Sequence, residues 1–262
     1  VTLFDSRART GPVARINPVA KLAASGLIAV PLVLTLDWLS AAVALALEFV
    51  LFLFAGLGWR EFWVRTSPVW LAAPLTALTI ALYGETSGHV YAEWLVIRVS
   101  DGSIELAVAT FFRVLAVALP SVVLFVTVDP TDLADGLAQI VRLPARFVLG
   151  ALAGLRMVGL FLDDWRALEL ARRARGVADR GRIRRFAGMA FALLVLSIRR
   201  GSKLATAMEA RGFGAPVRRT WARRSTFGAG EWMLMAIGAA ISAAAVTAAV
   251  LAGTWNFILG PA

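Results

Sequence analysis

"DDWRALELARRARGVADRGRIRR", residues 163–185, carries eight arginines against four acids and lies between two long helical patterns, about 145–175 and 184–211. Whether those patterns cross a bilayer decides the fold. Their apolar parts run from Phe147 to Leu162 and from Phe186 to Ile198. If both crossed, the arginine-rich segment between them would be exported, against the tendency of lysine and arginine to stay on the cytoplasmic side. The second run is also only 13 residues, short of the roughly 20 that span hydrocarbon. Both patterns are therefore expected to be helices that begin against a membrane domain, project into or along its cytoplasmic face, and end in the cytosol.

The rest of the chain supplies that membrane domain. Its 262 residues are 59% hydrophobic with a mean hydropathy of +0.75, well above the roughly 45–50% apolar content of soluble domains. Apolar stretches at about 19–36, 39–57, 67–83, 104–128 and 232–253 are long enough to span. The first two are separated by "DWLS", where Asp37 and Ser40 can start a new helix after a tight turn. The third carries Pro74, which blurs its ends. The last is rich in small residues that permit close helix packing in lipid. The fold class expected is an all-α integral membrane protein of about five transmembrane helices plus long cytoplasmic coupling helices.

Charge sets the orientation. Residues 1–18 form a basic tail, read as cytoplasmic and not as a secretory signal. The connection "GETSGHVYAEWLVIRVSD" holds three acids and one arginine and is expected outside. Residues 129–230 hold 19 of the 27 lysines and arginines against 8 acids. The chain thus divides into a tail at 1–18, transmembrane helices at 19–128, a cytoplasmic region at 129–230, and a last span with an outer C-terminus at 231–262. Trp38, Trp59, Trp63, Trp70, Trp94, Trp232 and Trp255 fall near predicted span ends, where an indole bridges lipid and water. Within the basic region a short amphipathic helix, "PTDLADGLAQIV", has Pro130, Thr131 and Asp132 as its start signal.

Several chemistries are excluded or unsupported. There is no cysteine, hence no disulfide or thiolate site. No phosphate-binding loop is present, so any ATP hydrolysis belongs to a partner. The one metal-like pattern, Glu85, His89 and Glu93 at i, i+4, i+8, lies in the outer connection and reads as a solvated face. No catalytic, metal or cofactor residue is assigned. A conventional ABC permease subunit that binds its own substrate would need a polar cavity, and the spans offer only Glu48, Arg113 and a few hydroxyls. Those two charges lie at matched depth and could pair, which would tie the second span to the fourth, or each could face its own water-filled crevice. A pI near 11.4 suits nucleic acid, but the basic residues follow membrane topology without interleaved stacking aromatics.

Two hexapeptides remain. "ARRARG" at 171–176 and "AMEARG" at 207–212 both fit A-x-x-A-R-G, and each closes one of the long helical patterns. Gly176 and Gly212 can adopt the left-handed conformation that ends a helix. Arg175 and Arg211 could simply interact with their own terminal carbonyls, an effect of about 0.3–1 kcal/mol. However, Ala171, Ala174, Ala207 and Ala210 leave little bulk around each guanidinium, so a partner's groove could close over the helix end. Two such knobs suggest two related partners.

With "INPVAKL" at 16–22, "TDLADGLAQIVRLP" at 131–144, "LARRARG" and "KLATAMEARGFG", the chain resembles the transmembrane T component of energy-coupling factor transporters, ABC-type importers of vitamins and of nickel or cobalt. The resemblance runs in order over nearly the whole chain. It implies that Ala174-Arg175-Gly176 and Ala210-Arg211-Gly212 dock two ABC ATPase subunits, which bind the ATP. It also implies that membrane and coupling helices hold a small S component carrying the substrate, and that ATPase closing moves the coupling helices. The arginine-rich stretches at 180–185 and 218–224 lie outside the motifs and suit anionic lipid head groups.

The topology is checked with single cysteines at Ser6, Ser87, Ser225 and Ala262, which the cysteine-free chain keeps unambiguous. In intact cells an impermeant thiol reagent is expected to label Ser87→Cys and Ala262→Cys only. Labelling of Ser225→Cys would overturn the cytoplasmic placement of 129–230.

Overall fold

The computed structural model describes residues 13–53, 58–84, 87–94, 97–176, 181–215 and 220–256. The N-terminal tail to residue 12, the expected end of the second span at 54–57, Glu85, Arg180, and Arg218 with Arg219 lie outside the described residues. The chain divides into two compact units, one taking in Ser6–Gly136 and Ser225–Ala262, the other built on Leu137–Arg224.

The larger unit contains α1 (Pro18–Val33), α2 (Trp38–Leu53), α3 (Trp59–Tyr83), a hairpin of β1 (Val90–Trp94) and β2 (Ile97–Ser100), α4 (Asp101–Val126) and the start of α5 (Pro130–Gln139). After two further helices, α6 (Ala145–Ala174) and α7 (Arg182–Ala210), α8 (Ala229–Leu251) returns to it. By length and composition α3, α4, α6 and α8 are able to cross a membrane, while α1 and α2 are apolar but only 16 residues each. α6 therefore meets the criterion for a span although its charged flank argues against crossing. α7, with arginines at both ends of its apolar run, does not.

Local chemistry explains the boundaries. Asp37 caps α2, its Oδ2 accepting from the Ser40 N–H at 2.7 Å and its Oδ1 from the Ser40 hydroxyl at 2.9 Å. α3 begins at Trp59, a turn or two before the apolar stretch suggests, because Glu61 and Arg65 pair at 3.0 Å one turn apart and the helix runs through Pro68 and Pro74. α5 is capped by Asp129, which accepts from the Thr131 N–H at 2.7 Å, so Pro130 occupies the first helical position and Thr131 and Asp132 follow it. The connection between α3 and α4 contains a hairpin: Glu93 faces and pairs with Arg98 at 2.9 Å, and His89 precedes β1. His89 and Glu93 therefore do not share a helix face, Glu85 lies outside the described residues, and among the described residues no group of three could hold a metal.

α4 is central, packing on α1, α2 and α3, while α8 packs on α1 and α2. The shared core joins Ile28 and Leu32 of α1, Ala44 and Leu45 of α2, Ala73 of α3, Leu115 and Leu119 of α4, and Ile241 and Ala245 of α8. A buried lysine is satisfied at a helix end. Lys21, 1% exposed, donates from Nζ to the Thr127 hydroxyl at 2.9 Å and the Thr127 carbonyl at 3.2 Å, placing a cation at the C-terminus of α4. The turn after α1 donates from the Leu36 N–H to the Asn256 carbonyl at 2.9 Å, tying it to the segment beyond α8.

The α1–α8 contact depends on one glycine. A Cβ on Gly238 would lie 3.0 Å from the Ala24 carbonyl oxygen and 3.3 Å from its Cα, so the two backbones touch. Next to it the Ser242 hydroxyl donates to the Leu27 carbonyl at 2.7 Å. Gly238→Leu is expected to cost about 1–3 kcal/mol through overpacking, read as a lower thermal unfolding midpoint in detergent. Gly230→Leu, which meets nothing within 4 Å, is expected to leave that midpoint close to the parent's. Equal midpoints for both would contradict the close crossing.

Candidate functional site

The two A-x-x-A-R-G segments end α6 and α7 in the same way. Arg175 is the C-cap of α6 with φ −87° and ψ 2°, and Arg211 is the C-cap of α7 with φ −90° and ψ 11°. Gly176 and Gly212 follow at φ 68° and 74°, the left-handed region that only glycine enters without strain. At the first end the Gly176 N–H donates to the Arg173 carbonyl at 3.0 Å. At the second, Gly212 donates to Glu209 at 2.9 Å and Phe213 to Met208 at 2.9 Å, the paired bonds of a Schellman closure. A Cβ at either glycine would meet open space, so the backbone turn alone selects glycine there.

Both arginines and all four motif alanines are exposed. Among the described residues neither guanidinium forms a hydrogen bond or ion pair, including with the last carbonyls of its own helix. Each helix thus terminates in an arginine projecting from a rim of small side chains. Such an end can seat in an acidic or carbonyl-lined groove with five N–H donors unspent.

Charged contacts that the sequence reading did not single out hold α6 to α7. Asp164 accepts a forked pair from Arg200, at 2.6 Å from Nη1 to Oδ2 and 3.3 Å from Nη2 to Oδ1. Glu169 receives Arg173 of its own helix at 2.7 Å and Arg185 of α7 at 3.0 Å. Trp165 lies against Phe186 with ring centroids 5.6 Å apart. Arg172 lies over Gly188, where a Cβ would come within 2.8 Å of its Nη2. By contrast, Val148 and Met189 are the buried side chains of the two helices among the described residues. Phe147, Leu155, Leu170, Phe191, Leu194 and Ile198 are exposed. Between the helices runs an open, mainly apolar groove of about 370 Å³, lined by Leu149, Leu152, Met157, Leu160 and Leu204, with Arg156 and Arg200 beside it.

The expected pair of Glu48 and Arg113 is not formed. Glu48 is fully buried, and neither carboxylate oxygen has a hydrogen-bond partner. Nε and Nη2 of Arg113 are likewise buried without one among the described residues. Matched depth along two helices does not determine which way each side chain turns about its axis.

Residues 10–221 match the CbiQ family model, described as cobalt transport protein. The chain is similar to proteins named energy-coupling factor transporter transmembrane protein EcfT. One from Limosilactobacillus fermentum is 26% identical over 204 residues, covering 73% of this chain and 76% of its own. One from Lactobacillus helveticus is 30% identical over 184 residues, 66% of each chain. One from Lactococcus lactis subsp. cremoris is 27% identical over 213 residues, 76% and 79% of the two chains. The chain belongs to the CbiQ family and is a multi-pass membrane T component of an energy-coupling factor transporter.

The buried charges yield a direct test. Combining Glu48→Arg with Arg113→Glu is expected to give no rescue of folded yield over either single reversal, measured by size-exclusion chromatography in detergent. Recovery to near parental yield would restore the Glu48–Arg113 pairing.

Proposed function

We propose that this T component is the non-catalytic scaffold of an importer, joining two ABC ATPase subunits to a substrate-binding S component so that ATP hydrolysis by the former drives uptake through the latter. The observation that carries this reading is the repeated helix end, with Arg175 and Arg211 each exposed and unbonded as the C-cap of a long helix and each followed by a left-handed glycine. Two like ends call for two like grooves, as a pair of related ATPases would offer. The substrate class is a vitamin or a transition-metal ion, in keeping with the cobalt-transport description of the family.

The exposed apolar side chains of α6 and α7 are the surface offered to the membrane-embedded S component. In this reading 1–18 and 129–230 are cytoplasmic, 19–128 holds four membrane helices, and 231–262 holds the fifth and an outer end. α6 and α7 then work as coupling helices. Although α6 is apolar enough to span, its pairing to α7 through Asp164 and Glu169 supports keeping both helices on one side, since α7 carries arginines at both ends. The basic stretches at 180–185 and 218–224, whose described members Arg184, Arg223 and Arg224 are exposed, would then suit anionic lipid head groups.

Replacing the motif arginines tests the docking role. A charge-assisted contact contributes about 1.5–3 kcal/mol, and removing one partner of a buried charged pair costs about 2–5 kcal/mol. Arg175→Ala or Arg211→Ala is expected to weaken ATPase association by about tenfold or more, with the other end still retaining the complex. The double variant is expected to lose ATPase co-purification and uptake while eluting as a folded membrane protein. A double variant that assembles and transports normally would eliminate the docking role.

A further inference from the structure

The two motif-bearing helices are related by a shift of 36 residues: Ala171, Ala174, Arg175 and Gly176 become Ala207, Ala210, Arg211 and Gly212. The same shift carries Asp164 onto Arg200, which are the two residues that bond to each other. Three turns before each motif one copy has Asp163-Asp164 and the other Arg199-Arg200, opposite charges at equivalent places. When equivalent positions of two copies touch, they lie at the approximate twofold axis relating those copies. Contacts further along agree with opposed helices, since Glu169 and Arg172 of α6 reach Arg185 and Gly188 of α7, while Asp164 reaches Arg200.

We propose that the Asp164–Arg200 pair is the fulcrum of the coupling helices, a positioning contact that holds the two docking arginines on equal arms. Each member precedes its own motif arginine by 11 residues, about three helical turns and about 16 Å, which returns to nearly the same helix face. Displacement of one arginine by its ATPase is thereby transmitted through the pair to the other with equal leverage. The fork supplies direction as well as strength, because a guanidinium bound to a carboxylate through two N–H groups resists rotation about the contact. Apolar burial adds little to the crossing, since around it lies an open groove and the buried apolar side chains of α6 and α7 are Val148 and Met189 among the described residues; the Glu169–Arg185 bridge and the Trp165–Phe186 contact lie to one side of the pair, toward the start of α7. Asp163, the other acid at this level, pairs with Arg166 of its own helix at 3.6 Å, and Arg156 stands beside the groove.

The proposal rests on the docking reading above, and its test separates the two. Spin labels on Leu170→Cys and Thr206→Cys, exposed positions related by the same 36-residue shift and outside both motif and pair, report the separation of the arms. The distance is measured by double electron–electron resonance in the complex with its ATPases and S component, with and without ATP, and in the chain alone in detergent. The parent is expected to give a narrow distance that shifts with ATP. Asp164→Asn and Arg200→Gln are expected to broaden it in both settings and to lower uptake about tenfold or more, with ATPase co-purification retained. Asp164→Arg combined with Arg200→Asp is expected to restore both the narrow distance and uptake. Single variants as narrow as the parent, or a swap that fails to restore both readouts, would overturn the fulcrum. If no ATPase binds the parent chain the docking reading fails, while the distances in the chain alone still decide whether the pair sets the arms.

Discussion

Asn17 organises the junction on which the rest of the chain depends. Its Oδ1 accepts from the Val19 N–H at 3.0 Å and so caps α1, while its Nδ2 donates to the Ser225 hydroxyl at 2.7 Å and the Thr226 carbonyl at 3.0 Å. Its own N–H donates to Glu231 in the first turn of α8 at 3.1 Å. α5 closes over the same group, since a Cβ on Gly136 would fall 2.9 Å from Asn17 Oδ1 and 2.7 Å from Val19 Cγ2. One short side chain therefore joins the starts of α1 and α8 and seats the helix through which the chain leaves for α6. These contacts gather at the starts of α1 and α8, where an amide side chain can both accept from an unpaired N–H and donate to a carbonyl.

From that junction the two units use opposite chemistry. The larger packs small residues and aliphatics, with Gly238 against Ala24 and Ile28, Leu115 and Ile241 in a common core, because lipid offers helices no hydrophobic incentive to associate and close approach must supply it. The smaller leaves its apolar side chains exposed and holds its helices together with arginine–carboxylate forks. An interface built from a few directional bonds, with an open groove beside it, is one that can change its crossing without dismantling a core.

The resemblance motifs acquire physical meaning in this setting. "INPVAKL" contains the Asn17 cap and the buried Lys21 that bonds Thr127 at the end of α4. "TDLADGLAQ" contains the glycine that closes over Asn17. The A-R-G triplets are helix closures whose arginines remain unspent. The first two serve assembly of the larger unit, while the last leaves its side chains exposed.

Much of this was legible in the chain itself, since hydropathy, charge asymmetry and helix stop signals are local or additive properties. They placed α6 and α7 to within two residues at each end, the cap at Asp37 and the paired A-R-G ends. The hairpin at Val90–Ser100 escaped because a polar connection of that length carries no period strong enough to separate strand from helix. The Glu48–Arg113 expectation failed because rise along a helix is written in the sequence, whereas rotation about it is settled by which face packs. The Asp164–Arg200 fork had a visible signal, opposite charges at equivalent places of a 36-residue repeat, but nothing in the chain says that equivalent places meet. Composition and pattern determined which segments are helices and which of those are apolar. Only the tertiary structure decided which side chains touch, because contact depends on crossing and rotation, and these are set by all the packed faces together.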